Sequence, residues 1–433
     1  LTHPQLGAAL QYVNERARPI LIERGKPVEA RALDVEKMSA EGVLDTESNV
    51  QFGEGGAGAF SDGKLTTGIK SPYQRYVLEE FVKCGAPEEI LVLAKPHIGT
   101  DLLRGVVASL RQEILSMGGE VRFQTKLTGI AQRGHRLTSI TLRGADGTEE
   151  QLCTDTLLLC IGHSARDTLQ SLFNQGVTMV QKPFAMGVRI EHPQSLVDRA
   201  QYGSFAGHPA LRAADYKLAV KTPDGRGCYT FCMCPGGVVI AAASQPGGVA
   251  VNGMSCHARD GVNANAALLV GVRPEDFGDD HPLAGFVLQR SIDQAAYRLG
   301  GGDFRAPAQR VEDFLCGRAT RGFGDVVPSY RPGVTPCDLH DCLPSFITDN
   351  LSLGIRQMDR QLKGFALPDA VMTGVETRSS SPVRLPRDSR GMAEIDGLFP
   401  VGEGAGYAGG IVSAAVDGIT AAMAAVERSR ETL

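Results

Sequence analysis

The chain has 433 residues with 42% apolar content, too long for one ordinary core and suited to two domains or three. Its formal net charge of −5 gives no electrostatic case for nucleic acid or an anionic membrane, and no apolar run predicts a transmembrane span. Ten cysteines without framework spacing read as reduced thiols of a cytoplasmic protein.

Arg18-Pro19-Ile20-Leu21-Ile22-Glu23-Arg24-Gly25 reads as a buried strand ending in an acidic residue. In dinucleotide folds such an acid accepts hydrogen bonds from adenosine ribose hydroxyls. Glu23, with Arg24 beside it, is therefore a cofactor-binding candidate, although a lone Glu after a strand is usually just solvated. The next cluster holds Gly53, Gly55, Gly56, Gly58 and Gly63, too many glycines for a regular helix or strand. Mixed with Ser61, Asp62 and Lys64, they suit a cradle for a diphosphate or ribityl chain. The alternative is a surface loop, which Phe60 and Leu65 disfavour by offering buried anchors.

An amphipathic helix over residues 100–117 leads through Gly118-Gly119 to a strand at 120–124. Strands at 138–142 and 150–152 flank Gly144-Ala145-Asp146-Gly147, a hairpin pattern. The apolar strand 156–161 stops at Gly162-His163-Ser164 and passes into a helix, with Ser164 and Asp167 as its start signal. Gly162 belongs to a cofactor-side turn. His163 is a general acid or base candidate by its near-neutral reference pKa, and equally a histidine satisfied by backbone.

From residue 184 to 367, strands alternate with Gly/Pro loops, which reads as an inserted substrate or cap domain. The domain plan is thus 1–183, 184–367 and 368–433, with the first and last parts forming one cofactor domain. Cys232 and Cys234 share a strand face and read as packing. Cys337, His340 and Cys342 lack a second ligand pair, so no metal is expected. In the loop 376–384, Arg378 and Arg384 are the candidates to clamp a substrate carboxylate, with Ser379, Ser380 and Ser381 supplying hydroxyls. The alternative there is a Glu376–Arg378 pair that stiffens the loop. Tyr216 and Lys217 are a second choice. Last comes an apolar run into Gly402, Glu403, Gly404, Gly406, Gly409 and Gly410, then a small-residue helix from Ile411. Strand, glycine loop and helix bring bare N–H groups and partial positive charge against a flat or anionic cofactor.

Several of these segments carry a family resemblance: Ser48-Asn49-Val50-Gln51-Phe52-Gly53-Glu54-Gly55-Gly56-Ala57-Gly58, Lys95-Pro96-His97-Ile98-Gly99-Thr100, Gly162-His163-Ser164-Ala165-Arg166-Asp167-Thr168, Tyr229-Thr230-Phe231-Cys232-Met233-Cys234-Pro235-Gly236-Gly237, Gly374-Val375-Glu376-Thr377-Arg378-Ser379-Ser380-Ser381-Pro382-Val383-Arg384 and Gly402-Glu403-Gly404-Ala405-Gly406-Tyr407-Ala408-Gly409-Gly410. Through them the chain resembles the uncharacterised FAD-dependent dehydrogenases, flavoproteins of the glutathione-reductase-like superfamily. The resemblance implies an α/β fold: a Rossmann-type FAD-binding domain, a small β-meander and an inserted α+β domain. It implies noncovalent FAD and hydride transfer at the flavin with an unidentified small-molecule substrate, for which the arginines suggest an anion. It carries over no catalytic residue. The family opens with a strand and a G-x-G-x-x-G turn, and the sequence has neither. Pro4-Gln5-Leu6-Gly7-Ala8-Ala9-Leu10 resembles the helix after that turn, so weaker FAD binding by these residues alone is the expectation. No second such turn follows a strand, which leaves the substrate or a redox partner protein as reductant. The readings from other classes are a non-redox FAD-binding scaffold and a flavin-dependent RNA-modifying protein, the latter disfavoured by the acidic balance.

Overall fold

The computed structural model describes residues 5, 7–9, 11, 15 and 17–432. Gln5, Gly7–Ala9 and Gln11 are helical, while Pro4, Leu6 and Leu10 of the expected opening helix lie outside the described residues. Two structural units follow from the pattern of strand lengths.

The first unit has short strands in two parallel pairs. Ile20–Ile22 pairs with Glu120–Arg122, and Leu157–Leu159 pairs with Leu398–Pro400. Parallel neighbours need a crossover, usually helical. The first pair is crossed by a segment holding Val28–Glu41 and Thr100–Ser116. The second pair is crossed by the entire second unit. Leu103, Val106, Val107, Leu110 and Ile114 form the buried stripe of Thr100–Ser116. They share a core with Leu21, Phe81 and, from the C-terminal helix Ile411–Thr432, Val412, Val416 and Ile419. The expected hairpin is part of an antiparallel three-stranded meander, Thr125–Arg133, Arg136–Gly144 and Glu149–Cys153.

The second unit is built on a seven-stranded sheet. Its strands lie in the order Val334–Pro336, Ala306–Arg310, Val371–Glu376, Phe184–Pro193, Asn263–Val272, Gly227–Cys234 and Ala219–Lys221. Phe184–Pro193 is buried at nine of its ten positions. Alternation along it explains how. Phe184, Met186, Val188 and Ile190 join a core with Ile292, Ile347, Leu351 and Ile355 from two helices, Ala284–Gly300 and Ser345–Met358. Arg189 and Glu191, with Asn263 and Asn265 of the neighbouring strand, occupy the opposite face. The expected domain end at 367 is too early, because Val371–Glu376 pairs inside this sheet with Phe184–Pro193 and Ala306–Arg310. A fully buried apolar strand has the same texture in either unit, so sequence alone could not assign it. Among the described residues, no helix is long and apolar enough to cross a membrane.

Candidate functional site

Two cavities adjoin, the first inside the first unit and the second at the seam between the units. The first, about 380 Å³, lies between the two parallel pairs, walled by Leu21, Ile22, Leu157, Leu159 and the meander residues Leu127 and Ile140. Its polar end reaches Glu23, Gln51, Phe52 and Gly53. The second, about 210 Å³, shares Gln51, Phe52 and Ile161 with the first. One wall carries Gly55, Gly56, Ser61, Asp62, Gly63, Lys64, Gly162, His163, Glu403, Gly409, Gly410 and Ile411. The inserted unit supplies the other, with Cys232, Asn252, Glu376 and Arg378.

The early glycine loop is shaped from inside by a residue the sequence reading passed over. Arg31 is fully buried, and its guanidinium donates to the carbonyls of Asn49, Val50, Gly53, Glu54 and Gly56. Burial pulls its pKa down to about 10, against the opposing fields of Glu23 and Glu54. A Cβ on Gly53 would stand 2.4 Å from the Arg31 Cδ, and Gly53 sits at φ +112°, so only glycine fits. The missed signal was spacing. Val28, Arg31 and Met38 lie on one buried stripe of their helix, which puts an arginine where an apolar residue is expected.

Several predicted side chains line the cavities while already engaged with protein. Glu23 accepts from the N–H groups of Gly25 (2.8 Å) and Gly53 (3.1 Å), tying the strand end to the glycine loop. Arg24 pairs with Glu47 (2.6 Å) and Asp167 (2.8 Å) and stacks over Phe52. Ser61 closes a local turn, donating to Gly58 and accepting from the Gly63 N–H. Asp62 takes Arg259 and Ser255 from the inserted unit, and Lys64 donates to the Met233 carbonyl. Asp62 and Lys64 thus join the units across the seam rather than standing open.

The loop 376–384 is rearranged relative to the expected alternatives. Glu376 does not pair with Arg378. It pairs with the buried Arg189 at 2.5 Å, on the polar face of the inserted sheet. Arg189 also donates to Asn252, Asn265 and the Cys232 carbonyl; burial pushes its pKa down, while Glu376 with Cys234 and Cys232 together hold it up. Arg378 donates to Ser244 (2.5 Å) and Asp293 (3.0 Å). Arg166 approaches the same Asp293 carboxylate at 3.5 Å. Two buried arginines thus share one acid beside the second cavity. Arg384 is exposed and lies over the Tyr407 ring, away from the cavity wall. Tyr216 is buried against Phe365 and Lys217 is exposed, both outside this wall.

His163 is half-buried on the cavity wall. Burial first, then Arg378 and Arg166, drive its pKa down to about 3. Both causes oppose the protonated ring and favour the neutral imidazole. Glu403 moves the other way. Burial lifts its carboxyl to about 7, opposed only by Lys182.

The late glycine loop meets the 162–164 turn at backbone contact, since a Cβ on Gly404 would lie 2.3 Å from the Gly162 carbonyl oxygen. Gly162 and Gly409 have nothing within 4 Å of where a Cβ would project. Both face the second cavity, and Gly410 and Ile411 bring the start of a 22-residue helix to it. Bare backbone, a helix N-terminus and an adjoining apolar chamber fit a long, flat, partly anionic cofactor. Gly402 sits behind this wall, its N–H on Asp417 at 2.7 Å. Cys337 and Cys342 are buried, while His340 stacks on Phe314 and contacts Asp338. No group of three His, Cys, Asp or Glu able to hold a metal occurs among the described residues.

Comparison with known proteins assigns the class. The family described as "FAD-dependent protein, C-terminal domain-like" matches residues 183–379, which are the inserted unit with the strand Val371–Glu376 included. An uncharacterized protein of Clostridium beijerinckii is 50% identical over 423 residues, covering 97% of this chain and 78% of that protein. The chain belongs to the same family, a family of FAD-dependent proteins. Among solved structures, the E. coli quinol fumarate reductase aligns at 11% identity and TM-score 0.42, over 100% of this chain and 69% of that one. The flavin-dependent brominase Bmp2 aligns at 10% identity and TM-score 0.43, over 99% and 77%.

Proposed function

We propose that the seam binds FAD noncovalently and that the protein is an FAD-dependent oxidoreductase acting on a small anionic molecule. The adenosine half would lie toward Glu23 and Gly53, and the ring system in the cavity closed by Gly409 and Gly410. The observation that carries this is the continuity of the two cavities through Gln51, Phe52 and Ile161, with glycine backbone at Gly53, Gly162 and Gly409 along the way. When bound, FAD supplies hydride chemistry that no side chain offers. The residues of the chain do the rest. The helix start at Ile411 places partial positive charge at one edge of the cavity, favouring negative charge there. Arg378 and Arg166 add a further net positive charge, because Asp293 offsets only one of them. That balance favours an anionic substrate, with Arg378 rather than the outlying Arg384 as its nearer contact.

The test is the visible spectrum of the protein with FAD, followed by anaerobic titration with candidate donors. Heat release should give FAD and not FMN, and a 2-hydroxy acid or similar anionic donor should bleach the flavin band. Bound flavin that no donor or redox partner ever bleaches would leave a scaffold instead.

A further inference from the structure

We propose that His163 is a fixed hydrogen-bond acceptor of the second cavity, locked as the neutral Nδ1–H tautomer so that Nε2 faces the ligand. The molecule in the cavity would then be recognised there through a hydroxyl or N–H group, and molecules presenting only acceptors would be rejected. This rests on the reading of that cavity as the ligand site and adds the hydrogen-bond sense of one wall.

The tautomer follows from a chain of contacts. The Gln51 Nε2 donates to the Ala242 carbonyl at 3.4 Å, which turns its Oε1 toward Ser164. The opposite amide orientation would set Oε1 against that carbonyl, two acceptors with no proton between them. Ser164 Oγ lies 3.1 Å from the Gln51 Oε1, which can only accept, so the single hydroxyl proton of Ser164 goes to Gln51. Ser164 Oγ also lies 3.1 Å from the His163 Nδ1. Having given its proton away, Oγ can only accept from the ring, so Nδ1 carries the hydrogen. A neutral imidazole has one N–H, which leaves Nε2 with a bare lone pair. No described residue is a hydrogen-bond partner of Nε2. Ser164 and Gln51 are both buried, which limits the alternative partners open to the relay.

Charge closes the remaining alternative. A doubly protonated ring would sit against Arg166 and Arg378, whose fields together with burial oppose it. His163 is therefore an acceptor and not a cation, and the anionic part of a substrate belongs to the arginines. An acceptor beside cationic groups suits a ligand carrying a donor and an anion on neighbouring atoms.

The experiment is nitrogen NMR of the full chain labelled at histidine, from pH 5 to pH 8, with His163 assigned by loss of its signals in His163→Gln or His163→Asn. The expected spectrum has Nδ1 protonated and Nε2 bare, without titration across the range. The tautomer ratio should exceed about ten to one, since one buried hydrogen bond is worth roughly that factor. Ser164→Ala removes the anchor and should bring the ratio to within about threefold of unity. An Nε2–H tautomer in the unsubstituted protein, a titration midpoint between pH 5 and 8, or an unchanged ratio in Ser164→Ala each overturns the proposal. Because the readout needs no flavin, its failure is distinguishable from a failure to bind FAD.

Discussion

The fully buried arginines of the two units, Arg189 and Arg31, are held in opposite ways. The inserted sheet hides charge inside itself: Arg189 and Glu376 sit face to face on a strand surface with almost no exposure, held by Asn252 and Asn265. The most deeply buried cation of the cofactor unit, Arg31, is instead held by backbone. Arg31 binds five loop carbonyls and no carboxylate, so its hydrogen bonds fix a loop shape rather than a strand pairing. The first arrangement stabilises a scaffold. The second presents a surface, and the seam between them inherits rigidity from one side and bare backbone from the other.

That contrast is most strongly strained by Glu376→Ala, which leaves Arg189 buried and unpaired. Urea unfolding should register a loss of about 3–5 kcal/mol, the usual cost of breaking a buried pair from one side. Arg31→Lys comes next. Lysine has three donors for five carbonyls, and the unsatisfied groups should cost about 2–3 kcal/mol while weakening FAD binding by tenfold or more, measured by fluorescence titration. If Glu376→Ala weakened FAD without touching stability, or Arg31→Lys did the reverse, the division of labour would be wrong.

A smaller effect belongs to Glu403. Its folded pKa of about 7 exceeds the ordinary 4.5, so the fold prefers the protonated form. The associated stability is complete below about pH 4.5 and is lost as pH rises to about 7. For a half-buried group screened by solvent, the difference between Glu403→Gln and the unsubstituted protein should be about 1–2 kcal/mol across that window. Melting temperatures that ran parallel from pH 4 to 8 would remove it. Smallest is Arg384→Ala, an exposed stacking residue, which should change stability and flavin reduction by no more than about 0.5 kcal/mol.

Much of the site was legible because glycine clusters and strand ends announce themselves in sequence. The segments Gly55 to Lys64, Gly162 to Ser164 and Glu403 to Ile411 each contribute residues to one cavity, while Gly53 lines the first and Gly402 sits behind the wall. Partner choice was not legible. Glu376 and Arg378 are neighbours in the chain, yet a strand sends them to different acid–base partners, Arg189 and Asp293, far away in sequence. Arg31 was invisible for a related reason: an arginine in a polar helix reads as solvated unless its place on the buried stripe is weighed. The strand Val371–Glu376 was assigned to the wrong unit because burial on both faces erases the alternation that would mark its sheet.

The central claim, that the seam between the units is the FAD site, is tested most directly by hydrogen exchange of the full chain with and without saturating FAD. Slowed exchange is predicted in three segments, residues 51–64, 161–166 and 402–412, while Phe184–Pro193 and Asn263–Val272 exchange as before. Protection confined to the inserted sheet, or absent from those three segments while flavin is bound, would contradict it.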